Sequence, residues 1–281
     1  MTAAAPPDPA VRSATGGSAR GAPGVGARPG IAASASVVAD LDAGRPRIRW
    51  THAWPIVLRP TGQARVHLVH GAGGPLGGDL LRLDVAVGAE ATLAVRSAGA
   101  TLVQPGRSGE AARWDTAVVV DADAAVDWAP EPTVVTDGAC YHTSLRAELG
   151  AGAGATLREV VVLGRHGGRG GRYQGRLDVT VDGVPLLAHT TLLDGADSGL
   201  GGPGGTAGAR AVGTLLLAGS SCAGGPPDPG VATAGEDPRA RWAWTELDGP
   251  GRMLLAVGEP GAVIALLDAA AARLSRAGSR P

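Results

Sequence analysis

The chain contains no phenylalanine, no lysine and no asparagine, and aromatic residues make up only 3% of its 281 residues. Without lysine there is no P-loop, whose Gly-Lys-Ser/Thr segment holds nucleotide phosphates. With so few rings, valine and leucine must supply the core. A strong charge of either sign is also missing: 25 basic against 26 acidic residues leave a net charge of -1. That balance gives no global field to gather nucleic acid or an anionic membrane. No apolar run approaches the roughly 18 residues of a membrane-spanning helix; runs such as 160–163 and 215–218 have the length of strands. Two cysteines, Cys140 and Cys222, make no disulfide framework. Residues 1–30 hold no apolar h-region of a signal peptide, so a cytoplasmic location is expected. There is no G-x-S-x-G elbow, no HExxH, no CxxC and no paired-carboxylate context, so nothing argues for catalysis.

What is present is a β-pattern. Residues 1–34 are rich in Ala, Pro, Gly and Arg and poor in large apolar side chains, which predicts a disordered tail. From there to residue 281 short valine- and leucine-rich runs alternate with Gly, Pro and Asp turns, which predicts one β-rich domain over 35–281. Leu81, Leu83, Val85 and Val87 alternate with Arg82, Asp84 and Ala86, the signature of a half-buried strand. The segments 83–95, 117–128 and 145–164 echo one another about every 30 residues, each a strand, a GA or DA turn and a second strand. A fourth pair, 177–193, turns at Asp182-Gly183, a residue pair favoured in tight hairpins. Stacked hairpins are the economical expectation. Residues 195–208 and 219–238 read as long loops around a short strand at 214–218. After Pro260-Gly261, the spacing of Val263, Ile264, Leu267, Ala271 and Leu274 predicts one amphipathic C-terminal helix. The fold class expected is therefore all-β, with stacked or layered sheets of β-helical or sandwich-like character closed by that helix.

The segment HLVHGAGGPLGGDLLRLDV, residues 67–85, looks at first like a phosphate-binding glycine loop. A dinucleotide loop needs G-x-G-x-x-G opening a helix, but from Gly71 and Gly73 the third glycine position is Leu76, and a strand follows. Paired glycines at Gly73, Gly74, Gly77 and Gly78 instead suit a tight strand-to-strand connection with positive φ, and Asp79 suits hydrogen bonding to turn amides.

These residues also resemble a family. A strand followed by GGxxGGD and a strand of the type LxLxVxV is similar to the glycine block of the UreD (UreH) urease accessory proteins. The stretch 126–165, with PEP at 130–132, a DGA turn at 137–139 and a Val-rich strand ending in Leu163-Gly164-Arg165, resembles the family's second block; 175–193 and GTLLLAG at 213–219 resemble those that follow. The likeness is collinear over about 50–220. Two departures stand out: AVRSAGATLVQPG (94–106) replaces a Thr/Gln-rich, aromatic-ending strand, and HGGRGG (166–171) lacks the acidic residue the family commonly carries there. The resemblance implies a non-catalytic β-rich scaffold, a chaperone of metallocentre assembly. It would bind UreF and, through it, the GTPase UreG and the urease apoprotein, with no tightly bound cofactor and nickel only in transit.

Nickel favours imidazole, thiolate and carboxylate donors. His67 and His70, three apart on a strand, point to opposite faces. Cys140 and His142, two apart, share a face and are the metal-contact candidates, although a stable site takes three or four donors. Asp79, Glu131 and Asp137 are the acids within the resembling blocks, and turn capping accounts for each better than a metal relay does. Two other readings remain open: a generic β-rich module binding a glycan or protein, and a metal-dependent enzyme built on Cys140, His142 and a distant third ligand.

Overall fold

The structure, a computed structural model, describes residues 30–107, 109–222 and 234–277. In chain order the strands are β1 (Ala32–Asp42), β2 (Arg45–His52), β3 (Ile56–Gly62), β4 (Arg65–His70), β5 (Leu80–Val87), β6 (Thr92–Ser97), β7 (Thr101–Val103), β8 (Ala112–Val120) and β9 (Ala125–Trp128). They continue as β10 (Thr133–Val135), β11 (Cys140–Leu149), β12 (Gly154–Leu163), β13 (Arg172–Val181), β14 (Val184–Asp194), β15 (Ala211–Gly219), β16 (Ala234–Asp237), β17 (Ala240–Glu246) and β18 (Gly251–Gly258), before helix α1 (Pro260–Ala277).

Two sheets face each other. One is seven-stranded, in the order β14-β13-β11-β8-β5-β1-β2; the other runs β16-β17-β18-β15-β12-β9-β6-β4-β3, with β10 and β7 beside β12. The chain alternates between them. β5, β8, β11 and β13 pair in parallel in the first sheet, and β4, β6, β9 and β12 do so in the second. This is a coil of β-helical type with antiparallel strands added at its ends, so the all-β, layered expectation matches the architecture.

The expected stacked hairpins are corrected in three of four cases. The GA and DA turns after β5, β8 and β11 send the chain across to the opposite sheet, and each arm pairs with its counterpart one coil away. The corners stack: Glu90 N–H donates to Ala122 O at 3.1 Å and Asp123 N–H to Ala151 O at 2.9 Å. Only Asp182-Gly183 makes the expected hairpin. Both residues have positive φ, 51° and 76°, as the tight turn joining β13 to β14 requires.

The tail's first 29 residues lie outside the described residues, but β1 begins at Ala32, inside the stretch expected to be disordered. β15 is longer than the strand expected at 214–218, and β16 occupies 234–237 of the second expected loop. Residues 195–208 form turns without strands.

Core packing follows the coil. Val37, Val85, Val118, Ala147 and Val179 are register neighbours across five strands, and all are buried. Burial of each valine stabilises by roughly 1.5–3 kcal/mol relative to exposure. A second cluster lies on the outer side of β12, β15 and β18, where α1 seats Val263 and Leu267 against Leu215, Leu254 and Val160. Gly213 allows this approach, since a Cβ there would lie 2.5 Å from Val263 Cγ1. Buried Arg158 pairs with Asp268 of the helix. Ile264 and Ala271 are half-buried at this interface, and the side chain of Leu274 lies outside the described residues.

Candidate functional site

On β12 the residues facing the seven-stranded sheet are Ala155, Leu157, Glu159, Val161 and Leu163, so a carboxylate takes a place in an otherwise apolar row. Glu159 lines a cavity of about 90 Å3 between the sheets, room for several waters. The Tyr173 hydroxyl, from β13, donates to Glu159 Oε1 at 2.6 Å, and Thr143 Oγ1 of β11 lies 3.1 Å from the same phenol oxygen. Gly175 makes this possible, because a Cβ there would lie 2.2 Å from Tyr173 Oη. Burial raises the Glu159 pKa, with the Tyr173 hydrogen bond pulling weakly the other way. Burial also raises the Tyr173 pKa well above the phenol range, so this hydroxyl keeps its proton at any ordinary pH.

His70 enters the same cavity from β4. Its Nε2 lies 2.9 Å from Thr101 Oγ1, and its ring meets Trp114 edge-on with centroids 5.3 Å apart. Burial lowers its pKa from 6.5 to about 4, so the imidazole is neutral at pH 7 and retains a lone pair for a metal. Between those two values the unfolded chain binds a proton that the folded chain does not. Stability therefore falls as pH drops through this window, by about 2–3 kcal/mol from this group. Urea titrations of the wild type and His70→Gln at pH 7 and pH 4.5 test this; equal pH dependence in both proteins would refute it.

The sequence-selected residues divide between the loop, the cavity and the outer face. Gly73, Gly74 and Gly78 have positive φ (76°, 121° and 96°). Gly77 does not, but it packs so tightly that a Cβ would meet Gly106 N and Glu110 O, each at 2.6 Å. Asp79, 3% exposed, accepts from Ile31 N–H at 2.8 Å and from Leu76 N–H at 2.9 Å, which is the turn-bonding role expected of it. Asp137 Oδ1 accepts from Gly170 N–H at 2.8 Å, tying the 166–171 loop to the turn before β11. Glu131 is exposed and lines the cavity, which places it at a mouth; its own N–H is held by Ser97 Oγ at 2.9 Å. β10 separates Glu131 from Asp137.

Cys140 Sγ and His142 Nε2 do share a face, 3.7 Å apart, but it is the outer face of the seven-stranded sheet; Tyr141 between them points into the cavity. Their register partners include Arg172 and Arg113. Burial lowers the His142 pKa, and these two cations lower it further, so the surroundings oppose a bound cation as well as a proton. Among the described residues no three His, Cys, Asp or Glu side chains gather in a metal-binding group.

Sequence reading missed Glu159, Tyr173 and Gly175, and it considered His70 only as a partner for His67. The detectable signal was the parity of 155–163, where a lone acid interrupts an apolar alternation.

Comparisons with known proteins follow the same region. The model for the family described as "UreD urease accessory protein" matches residues 33–277. A urease accessory protein UreD of Frankia alni is 40% identical over 210 residues, covering 69% of this chain and 68% of that protein. One of Streptomyces coelicolor is 38% identical over 213 residues, 72% of this chain and 80% of the relative. One of a Parafrankia species is 36% identical over 255 residues, 82% and 84% respectively.

Proposed function

The chain belongs to the UreD family of urease accessory proteins, and from that premise we propose that it is the scaffold by which nickel reaches apo-urease. Its role lies in urease maturation; it is an accessory factor, not an enzyme. In this reading it docks UreF and, through UreF, the GTPase UreG and the urease apoprotein, in the cytoplasm. Among the described residues no helix is long and apolar enough to cross a membrane.

Nickel is cargo here. The observation that carries the reading is Glu159, a carboxylate set into the apolar interior beside a cavity that neutral His70 also lines and that Glu131 borders at a mouth. Carboxylate and imidazole are nickel donors. Spread along a cavity and not gathered into the three or four ligands of a stable site, they suit brief contact and onward movement. The Cys140–His142 pair, outside the cavity and between two arginines, supports this passage less well. It supports a resident catalytic metal less well too.

The test is co-expression with the cognate UreF, UreG and urease subunits under nickel. The expected result is a co-purifying complex and urease activity that disappears when this chain is left out. Normal urease maturation without it, and no complex, would overturn the proposal in favour of a generic β-rich binding module.

A further inference from the structure

The two sheets end on β14 and β2 and on β16 and β3, and all but one of these edges are built to refuse a neighbour. β2 carries Arg45, Pro46, Arg47 and Arg49; β3 holds Pro60, with a shift of register beside it; β16 is four residues long and ends in Glu236-Asp237. β7, off the main path, has only three residues. Charge, proline, irregular register and shortness are the ordinary protections of a sheet edge. β14 lacks them. From Leu186 to Leu193 it contains no acid, no arginine and no proline, and among the described residues it pairs with β13 alone.

This open edge is held in place. The ladder with β13 runs from Asp194 to Val184, and Leu186 packs on the turn before β18, where a Cβ at Gly251 would lie 2.8 Å from its Cδ2. A row of unpaired N–H and C=O groups accepts one kind of occupant, another extended strand. The side chains say which strand. His189 and Thr191 turn inward to line the cavity, so Ala188, Thr190 and Leu192 face solvent, Leu192 with 67% of its surface exposed. Two identical edges joined about a twofold axis run antiparallel, and each contact occurs twice. Opposed residues share a face, so the axis must fall on a residue. Thr190 is the one that pairs 186–194 in full and leaves Pro185 outside. About that centre Leu192 of each copy falls opposite Ala188 of the other, large against small.

We propose that the chain self-associates through β14, two copies joining antiparallel at Thr190 so that their seven-stranded sheets become one. The proposal goes beyond nickel delivery and does not rest on it. A seam of one strand on another falls below the standard interface size of about 1,600 Å2. The dimer is therefore expected to be reversible, with a dissociation constant on the order of micromolar.

Sedimentation velocity of the purified full chain, across concentrations that bracket that value, tests this. Leu192→Lys is expected to weaken dimerisation by about tenfold or more, with an unchanged melting temperature, because a lysine is the usual guard of an edge. Val119→Lys, on the same outer face but in the interior strand β8 and 44% exposed at the wild-type residue, should dimerise as wild type does. The register is read by cysteine cross-linking with oxidised glutathione, the wild type with Cys140 and Cys222 setting the background. Thr190→Cys should cross-link, since a residue opposite its own copy has Cα atoms about 5 Å apart, within disulfide reach. Leu192→Cys should not, since its copies lie about 14 Å apart along the strands. A monomer at every concentration overturns the proposal. So does a dimer that Leu192→Lys leaves intact, one that Val119→Lys disrupts equally, or one that cross-links at 192 and not at 190.

Discussion

Glu159→Leu is expected to make the protein more stable and its urease inactive. The two effects have one cause. A carboxylate facing an apolar interior loses most of its hydration, and one tyrosine hydroxyl at 2.6 Å replaces only part of it. Leucine fits the alternation of Leu157 and Val161 and removes that burden, so the unfolding free energy should rise by about 1–2 kcal/mol. The sign of the pH dependence follows from the raised pKa. Because the folded chain binds the Glu159 proton more tightly than the unfolded chain, wild type loses stability as pH climbs above the ordinary carboxylate value of 4.5. The advantage of the variant should therefore be larger at pH 7 than at pH 4.5. If nickel passes this group, activation in co-expressing cells should fall by about an order of magnitude or more, the scale on which outer metal-site residues act, while the complex with UreF still forms. Glu159→Gln keeps the volume and an acceptor for Tyr173 but not the charge, and it should fail as leucine does. A leucine variant that activates urease normally would show that the metal takes another route.

The same residue shows where the sequence stops being readable. The parity of 81–87 predicted a half-buried strand and β5 is one, because one face meets the core and the other solvent, so the alternation is visible. β12 is covered on both sides, by the opposite sheet and by α1, so Val160 to Leu163 reads as a uniform apolar run and Glu159 as the polar residue at its edge. The GA and DA turns were legible as turns but not as corners. What separates a corner from a hairpin is the strand waiting about 30 residues away, and no local pattern records it. β1 was obscured for a third reason: Ala33 and Ala35 are buried by close sheet packing, yet their side chains are too small to announce a strand. Cys140 and His142 could be assigned to one face from spacing alone, but which face lay outward depended on the coil.

Asp79→Ala should have the largest effect on folding. Its carboxylate is buried and closes two backbone donors, Leu76 N–H in its own loop and Ile31 N–H, 48 residues away from Asp79 in sequence. Hydrogen bonds to a charged group contribute about 1.5–3 kcal/mol each, and an N–H left buried and unpaired adds a penalty. A loss of about 3 kcal/mol or more is therefore expected, a large share of the 5–15 kcal/mol typical of a domain. The location magnifies the consequence. Ile31 leads into β1, which lies between β2 and β5, so freeing it loosens the junction of the terminal hairpin with the parallel coil. Urea midpoints followed by circular dichroism measure the loss. Asp79→Asn, which keeps one acceptor oxygen, should recover part of it. Any loss of UreF binding by Asp79→Ala should follow its loss of folded protein, because the carboxylate faces the amides of its own loop and of Ile31 and not solvent. Full stability with loss of binding would reverse that assignment and make Asp79 a contact residue, the alternative its place in the glycine motif leaves open from sequence alone.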